Sequence, residues 1–238
     1  ELPEPLPQPP LLESEVRPPR DTLDLRGRQF HIVRTVLELL SLLEEYRKFA
    51  AIMPVFASEV AHRVVELVKV FNSRSCQLVL GAGAMQVSGL KSITAKHLAL
   101  SCQCLGFLIH LQPVLRDVLS GDMAEHRKAL LAPEMARLAQ DLAVHRDEIY
   151  AKLVAIMRER LLAGTRQLPA SAEKWGAASG AVTPKRVRAT TFAESTAKQL
   201  RVLTGVLVPI MTAEDLGVVF GRISILFSAT LAESYGRL

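Results

Sequence analysis

Along most of the chain, apolar residues recur three and four positions apart, with short polar or glycine-containing breaks between the runs. This spacing places the apolar side chains on one stripe of an α-helix. No run is apolar on all sides, so each predicted helix must pack against another helix. The pattern predicts helices at about 28–49, 54–71 (to 80 if the helix continues), 94–119, 122–164, 190–211 and 212–235. We therefore predict an all-α fold, an elongated antiparallel bundle of about six helices.

Local signals mark several of the predicted helix ends. Ser92 or Thr94 can cap the third helix, Asp122 the fourth and Thr212 the sixth, because short polar side chains accept hydrogen bonds from the first turn. Pro133 predicts a kink or a restart within the fourth helix. The connections are predicted to be short except the one after the fourth helix.

Two segments lack helical periodicity. Residues 1–27 hold seven of the thirteen prolines, which predicts an extended or disordered linker ahead of a helical domain at 28–238. Residues 165–188 are rich in Ala, Gly and Ser, which predicts a flexible internal loop. The chain starts at Glu1, and we expect it to be a fragment of a longer protein.

The segment 71–101 contains three glycines (Gly81, Gly83 and Gly89) and no acidic residue. A run of apolar residues before Gly81 and Gly83 resembles the start of a dinucleotide-binding loop, but position 86, where the third glycine belongs, is Gln86. Ser88 and Lys91 have the spacing of an acyl-enzyme pair without its companion motifs. We predict a helix break between Gly81 and Gly89, with the three glycines as spacers between helix pairs.

Composition supports helices, since hydrophobic residues make up 49% of the 238 residues and aromatic residues only 5%. No run approaches the roughly 20 apolar residues of a membrane-spanning helix, so we expect a chain without one. The net charge of +5 is local, because the stretch from Leu67 to Arg116 has five basic residues and no acidic one. The five can form a patch for an acidic helix or anionic lipid, or be dispersed over two helices. From them we select Arg74, Lys91 and Lys96 as the predicted partner or membrane surface.

No catalytic or metal-binding set is evident. Three cysteines (Cys76, Cys102 and Cys104) cannot all pair, and we expect reduced thiols in a cytosolic protein. Glu59 and His62 form the single Glu-x-x-His pair, whereas a di-iron bundle needs two. We predict a non-enzymatic binding module without cofactor, metal or nucleic-acid partner.

The segments FNSRSCQLVLGAGAMQVSGLKSITAKHLALS (71–101) and YAKLVAIM (150–157) resemble the C-terminal domain of the vacuolar protein sorting-associated protein 54 family. That family supplies the subunit that defines the GARP tethering complex. Weaker similarity runs from about residue 30 to the end, but 121–145 matches poorly and 165–188 looks longer than in the family.

The resemblance implies a rod of stacked helical bundles of the CATCHR type. It also implies a non-enzymatic role in retrograde transport from endosomes to the trans-Golgi network. The implied partners are the other GARP subunits, met mainly through regions outside this chain, SNAREs, and the endosomal vesicle membrane or a protein on it. The implied location is the cytosolic face of the trans-Golgi network and endosomes. Two alternatives stay open: a peripheral module that binds anionic lipid, and a nucleotide-binding enzyme that uses the Gly81/Gly83 loop.

Overall fold

A computed structural model describes residues 22–81, 83–121, 123–171 and 190–237. The all-α class is confirmed, since the described residues are helical apart from a two-stranded hairpin and the connections. The elements are β1 (Thr22–Leu25), β2 (Arg28–His31), α1 (Arg34–Ile52), a 3-10 turn (Pro54–Phe56), α2 (Ala57–Val79), α3 (Ala84–Ser88), α4 (Ala95–Ser120), α5 (Glu125–Thr165), α6 (Thr191–Leu207) and α7 (Ala213–Tyr235).

The β-hairpin occupies the place where the pattern predicts the first helix to begin. Arg26 and Gly27 between the strands both have positive φ (54° and 78°), the geometry that matches the twist of a two-residue hairpin turn. The Gly27 N–H donates to Asp24 Oδ1 at 3.1 Å. The predicted start at residue 28 is therefore wrong, because α1 begins at Arg34. The predicted linker boundary at residue 27 falls inside this hairpin.

The hairpin belongs to the folded core through Phe30, which is 2% exposed. Its ring meets Phe107 of α4 edge to face with centroids 5.8 Å apart, and it lies 5.3 Å from the His110 ring. His31 is the next residue of β2, and its Nδ1 lies 3.0 Å from the backbone oxygen of Ile210, in the connection between α6 and α7. The hairpin thus ties the middle of α4 to the α6–α7 junction.

Helix α4 is the central element, with α5, α2 and the hairpin packed around it. The 41-residue α5 spans about 60 Å and makes the bundle elongated. It runs antiparallel to α4 after a short connection, and parallel to α2, since His62 pairs with Glu134 and Asn72 with His145. Fully buried side chains of α4 and α5 form the centre of the core: Leu98, Leu105, Leu108, Leu138, Leu142, Ile149, Leu153, Met157 and Leu161.

Helices α4 and α7 are long and apolar enough to cross a membrane by length and composition, contrary to the expectation from the sequence. For α4 the apolar composition follows from its central position, because more than half of its apolar stretch is buried by the other helices. α7 packs along α5 and carries the buried carboxylate of Asp215 near its start.

Several predicted boundaries are confirmed. Thr94 is the N-cap of α4, where its N–H donates to His97 Nδ1, and Thr212 caps α7 by accepting from the Asp215 N–H. Pro133 does not restart the helix, since α5 is continuous from Glu125 to Thr165. The predicted cap Asp122 lies outside the described residues.

The predicted flexible loop at 165–188 is wrong at its start. α5 reaches Thr165, residues 168–171 are helical, and Leu168 is 1% exposed. Leu168 is therefore a buried apolar side chain, which the Ala-, Gly- and Ser-rich composition of this segment does not indicate. Residues 172–188 lie outside the described residues.

Candidate functional site

The glycine-containing stretch forms a compact turn between α2 and α4. α2 ends at Val79, and the N–H groups of Leu80 and Gly81 both donate to the Cys76 carbonyl, at 2.9 and 3.2 Å. A β-carbon on Gly81 would lie 2.8 Å from the Gln77 carbonyl oxygen, closer than side chains tolerate. Gly81 thus allows α2 to end in a tight turn, and the predicted helix break is confirmed.

The other two glycines shape the loop and are not spacers between helix pairs. Gly89 ends the five-residue α3 with φ of 67°, a left-handed conformation that favours glycine. A β-carbon on Gly89 would meet nothing within 4 Å, and one on Gly83 would meet only Gln86 Oε1, at 3.8 Å. Within the described residues, neither glycine faces another helix.

The nucleotide-binding alternative required a strand that leads into Gly81. Leu78 and Val79 instead form the last turn of α2, so the strand-then-glycine geometry of a dinucleotide site is not formed. Ser88 Oγ accepts a hydrogen bond from the Leu90 N–H at 3.3 Å. Among the described residues, no group of three His, Cys, Asp or Glu side chains could hold a metal ion.

Buried thiols and imidazoles are held in their neutral forms. Burial raises the pKa of the Cys104 thiol to about 11, and burial together with the nearby Asp215 charge raises the pKa of Cys102 further. Burial also lowers the pKa of His145 to about 4. Neutral buried thiols are poor nucleophiles, so these groups serve packing.

The predicted surface residues Arg74, Lys91 and Lys96 lie at one end of the bundle, which we call the basic end. Arg74 is in the last two turns of α2, Lys91 precedes α4, and Lys96 is in the first turn of α4. α2 and α4 run in opposite directions and contact each other, so the end of one is close to the start of the other. All three side chains are exposed.

No carboxylate in the described part of the chain forms an ion pair with any of the three; Arg74 Nη1 donates to the neutral Gln77 Oε1 at 3.1 Å. Lys96 also lies at the positive end of the dipole of the 26-residue α4. The basic end can therefore attract an anionic group without first breaking an internal ion pair.

The remaining basic residues of the acid-free segment do not join this surface. Arg116 lies 20 residues beyond Lys96 on α4, about 30 Å away, and pairs with Asp117 at 3.2 Å. Lys69 is half-buried, more than one turn before Arg74. The local charge excess is thus partly dispersed, and three residues are left at the basic end.

A buried polar cluster that the sequence does not reveal joins α4, α5 and α7. Asp215 is 4% exposed, and its carboxylate accepts from the Gln103 amide at 2.7 Å, the Thr212 hydroxyl at 2.7 Å and the Tyr150 hydroxyl. Arg146 Nη1 lies 3.9 Å from the same carboxylate. The sequence predicts the cap at Thr212, but the partners of Asp215 are 65 and 112 positions away and have no local signal.

Comparison with known proteins identifies the family. The sequence model described as "Vps54-like protein" matches residues 27–160, from the hairpin turn through most of α5. The chain belongs to the Vps54 family. Both segments that carry the resemblance, 71–101 and 150–157, lie inside the matched range, as does the whole basic end.

Relatives named vacuolar protein sorting-associated protein 54 match the same chain across plants, animals and fungi. The Arabidopsis thaliana protein, whose name adds "chloroplastic", is 51% identical over 156 residues, or 66% of this chain and 15% of that protein. The human protein is 42% identical over 144 residues (60% and 15%), and the Schizosaccharomyces pombe protein 32% over 148 residues (62% and 15%). The chain thus spans about 15% of the length of these relatives. No solved structure matches the chain.

Proposed function

We propose that this chain is a non-enzymatic helical unit of a vesicle-tethering complex, GARP, that acts in retrograde transport from endosomes to the trans-Golgi network. The observation that carries the proposal is the Vps54 family match over residues 27–160. The relatives' names describe vacuolar protein sorting, and none of those names includes an enzymatic activity. The helical architecture suits a rigid scaffold, because its long helices present extended surfaces.

Within that complex, the domain contributes to association with the endosome or vesicle membrane. Its partners are the other GARP subunits, reached mainly through regions outside this chain, together with SNAREs and a membrane or membrane protein. It acts at the cytosolic face of the trans-Golgi network and endosomes. The exposed cations of the basic end support this role, because they have no internal carboxylate to compete with an anionic partner.

At the basic end, Arg74, Lys91 and Lys96 face an acidic element on the vesicle. Each basic residue near an anionic surface contributes about 1 kcal/mol, so three contribute about 3 kcal/mol, or roughly 100-fold in affinity. Exposed charges are screened by salt, so this attraction weakens as ionic strength rises.

The test reverses these three charges to Glu in the tagged full-length protein, expressed in cells depleted of their own copy. Endosomal recruitment should fall at least severalfold, while co-purification with the other subunits is retained. A matched control reverses Arg127, Lys128 and Arg137, cations in the first half of α5, which lies alongside the start of α2 and away from the basic end. Unchanged recruitment of the first variant would reject the basic end as the contact surface. Failure of the wild-type protein to travel with GARP subunits would reject the complex itself.

A peripheral lipid-binding module is the second candidate, supported by the acid-free segment that carries the basic end. Flotation with vesicles of neutral or anionic lipid separates the two. Binding of the purified chain to anionic vesicles, lost in the triple variant, favours lipid contact. Absence of flotation, together with reduced recruitment in cells, favours a protein on the vesicle.

A further inference from the structure

An open groove that we call the aromatic groove lies between α1 and α2, near the turn that joins them. Tyr46 and Phe49 of α1 line it, together with Phe56 of the 3-10 turn and Val60 of α2. The Phe49 and Phe56 rings are 6.2 Å apart and are 46% and 45% exposed. The chain has only twelve aromatic residues, so three of them in one surface groove point to a ligand that packs against aromatic rings.

The bundle itself leaves the aromatic groove uncovered. Only three of the 19 residues of α1 are buried, because α1 lies at the edge of the bundle against α2 and α4. Leu42, Phe49 and Phe56 are each between 45% and 49% exposed, so packing among the described elements does not account for them. The groove has a volume of about 460 Å³, enough for several apolar side chains, since ligand pockets start near 300 Å³.

The charges at the border of the groove are already paired. Glu45 pairs with Lys48 on α1, and Glu59 pairs with Arg63 on α2, both at 2.9 Å. Two carboxylates and two cations give no net charge, so the border offers little attraction to an anionic membrane or to a strongly charged protein. A ligand with much apolar surface and almost no charge is the one that suits this groove.

The chain itself contains a segment of that chemistry. Residues 3–12 read PEPLPQPPLL, and we call them the Pro-rich segment. They include five prolines, three leucines and one charged residue, Glu4. A polyproline II helix has three residues per turn, which places four apolar residues of this segment on one side: Pro3, Leu6, Pro9 and Leu12. Segments of this kind dock in aromatic-lined grooves, because their extended backbone is ordered at little entropic cost.

The Pro-rich segment is tethered within reach of the aromatic groove. Thr22 pairs with His31 in the hairpin, three residues before α1 begins at Arg34. The groove residues of α1 are centred about 11 residues further on, which is about 17 Å along the helix. The nine residues 13–21 span about 15–18 Å as a coil and about 28 Å when extended. The connection therefore matches the distance without being fully stretched.

From these observations we propose that the Pro-rich segment of this chain docks in the aromatic groove between α1 and α2. The side that carries Pro3, Leu6 and Pro9 packs against the rings of Phe49 and Phe56. The connection to the hairpin favours this occupant over a free ligand of the same chemistry, because it holds the segment at an effective concentration on the order of 1 mM. The proposal goes beyond the tethering role and does not depend on it.

The experiment measures binding of a fluorescein-labelled peptide of residues 1–14 to the purified 238-residue chain by fluorescence anisotropy. In the wild type, the chain's own segment competes with the peptide. The alanine variant removes that competitor without changing a described residue; it carries Pro3→Ala, Pro5→Ala, Pro7→Ala, Pro9→Ala and Pro10→Ala. For a peptide that binds the alanine variant with a Kd of about 100 µM, an effective concentration of about 1 mM makes the apparent Kd for the wild type about tenfold weaker.

Groove substitutions in the alanine variant identify where the peptide binds. Phe49→Glu should weaken peptide binding at least tenfold, and Leu42→Glu on the same groove should weaken it too, because each places a charge in the apolar lining. Tyr235→Glu is the matched control, since Tyr235 is an aromatic residue of α7 with the same exposure (47%). All three side chains are at least 46% exposed, so circular dichroism should show wild-type helicity and melting.

Absence of peptide binding to the alanine variant up to about 1 mM would overturn the proposal. Equal affinity for the wild type and the alanine variant would also overturn it, and would assign the groove to a Pro-rich segment of another protein. Binding that survives both groove substitutions, or that is lost with Tyr235→Glu, would place the peptide elsewhere. None of these results bears on recruitment through the basic end, so the two proposals can fail independently.

Discussion

Replacing Asp215 with alanine should loosen the contact between α7 and the rest of the bundle. In the folded chain this carboxylate accepts hydrogen bonds from Gln103 on α4, Tyr150 on α5 and Thr212 at the start of α7. Alanine removes the acceptor and leaves the Tyr150 and Gln103 donors buried, since these residues are 5% and 0% exposed. It also leaves the Arg146 guanidinium without its nearest carboxylate.

The size of the effect follows from these losses. A buried donor without a partner costs about 1–3 kcal/mol, and breaking a buried ion pair costs about 3–5 kcal/mol. The Arg146 side chain is 24% exposed and can be partly hydrated, so we take the lower end, about 3 kcal/mol in total. For a chain of this size, that lowers Tm by about 6–12 °C.

The conservative change Asp215→Asn should cost less, about 1 kcal/mol. Gln103 Oε1 has no hydrogen-bond partner among the described residues, so rotation of the Gln103 amide can offer it to the new Asn N–H. The Asn carbonyl oxygen can still accept from Tyr150. Asparagine keeps the side-chain volume and one acceptor oxygen but removes the charge, so the difference between the two variants separates loss of the acceptor and volume from loss of the charge.

The assay is urea unfolding of the two variants and the wild type, combined with amide hydrogen exchange. Exchange should increase most in α6 and α7 and least in α1 and α2. Asp147→Asn is the control, because Asp147 pairs with Arg222 at a site where its side chain is 58% exposed. Equal stability of Asp215→Ala and the wild type within about 0.5 kcal/mol would refute the assigned role of the cluster.

Three further predictions concern single side chains. Gln112 is 7% exposed, and neither end of its amide has a partner among the described residues, so Gln112→Met should raise the free energy of unfolding by about 1 kcal/mol in urea titrations. Burial lowers the pKa of His145 to about 4, below the unfolded value near 6.5, so its contribution is present above pH 6.5 and lost as pH falls toward 4. The wild type should therefore lose up to roughly 3 kcal/mol more than His145→Asn between pH 7 and 4, measured as the difference between their unfolding curves. Gly89→Ala should cost about 1 kcal/mol because φ is 67°, whereas Gly83→Ala, where φ is −103° and the surroundings are open, should cost less; thermal melts of both would show no difference if the left-handed turn were unimportant.

Helical periodicity predicts the class and most helix bounds because burial in this bundle follows one stripe per helix. Caps are equally local signals, and for that reason Thr94 and Thr212 could be identified from neighbouring residues alone. Phe30 shows the limit. It stands three and six residues before Val33 and Val36, so it extends the helical pattern, yet the two residues with positive φ at Arg26 and Gly27 place it on a strand.

Pro133 shows why a strong local signal does not always end a helix, since α5 continues through it. The missing N–H of Pro133 leaves the carbonyl of Ala129 without its helical donor. Both residues are exposed, so water can satisfy that carbonyl, while Leu131 and Met135 on the other face hold α5 against the core. A proline in the sequence does not by itself indicate whether the helix continues, because that depends on which face of α5 is covered by the core.

The surfaces proposed for partners differ in how much the sequence discloses. The three cations of the basic end were selected from the absence of acidic residues nearby, which a linear sequence displays directly. The exposed apolar side chains of α1 were not, because they follow the same apolar spacing that marks core positions. Leu37 lies on the same predicted stripe as Leu43, yet Leu37 is 43% exposed and Leu43 only 7%.

The Asp215 cluster also gives a reason for a buried carboxylate where a leucine would bury more apolar surface. α7 is apolar at many positions, so sliding it one turn along α5 would still cover much of the same surface. Only one register lets Asp215 reach Tyr150 and Gln103, and any other leaves a carboxylate and its donors buried without partners. Gln103 and Tyr150 lie inside the family-matched range and Asp215 lies outside it. The polar contact therefore fixes where α6 and α7 pack against the helices of the family-matched range, and apolar burial supplies most of the free energy of that packing. Increased exchange confined to α6 and α7 in Asp215→Ala is what this division requires, whereas a uniform increase across the bundle would place the cluster in the common core.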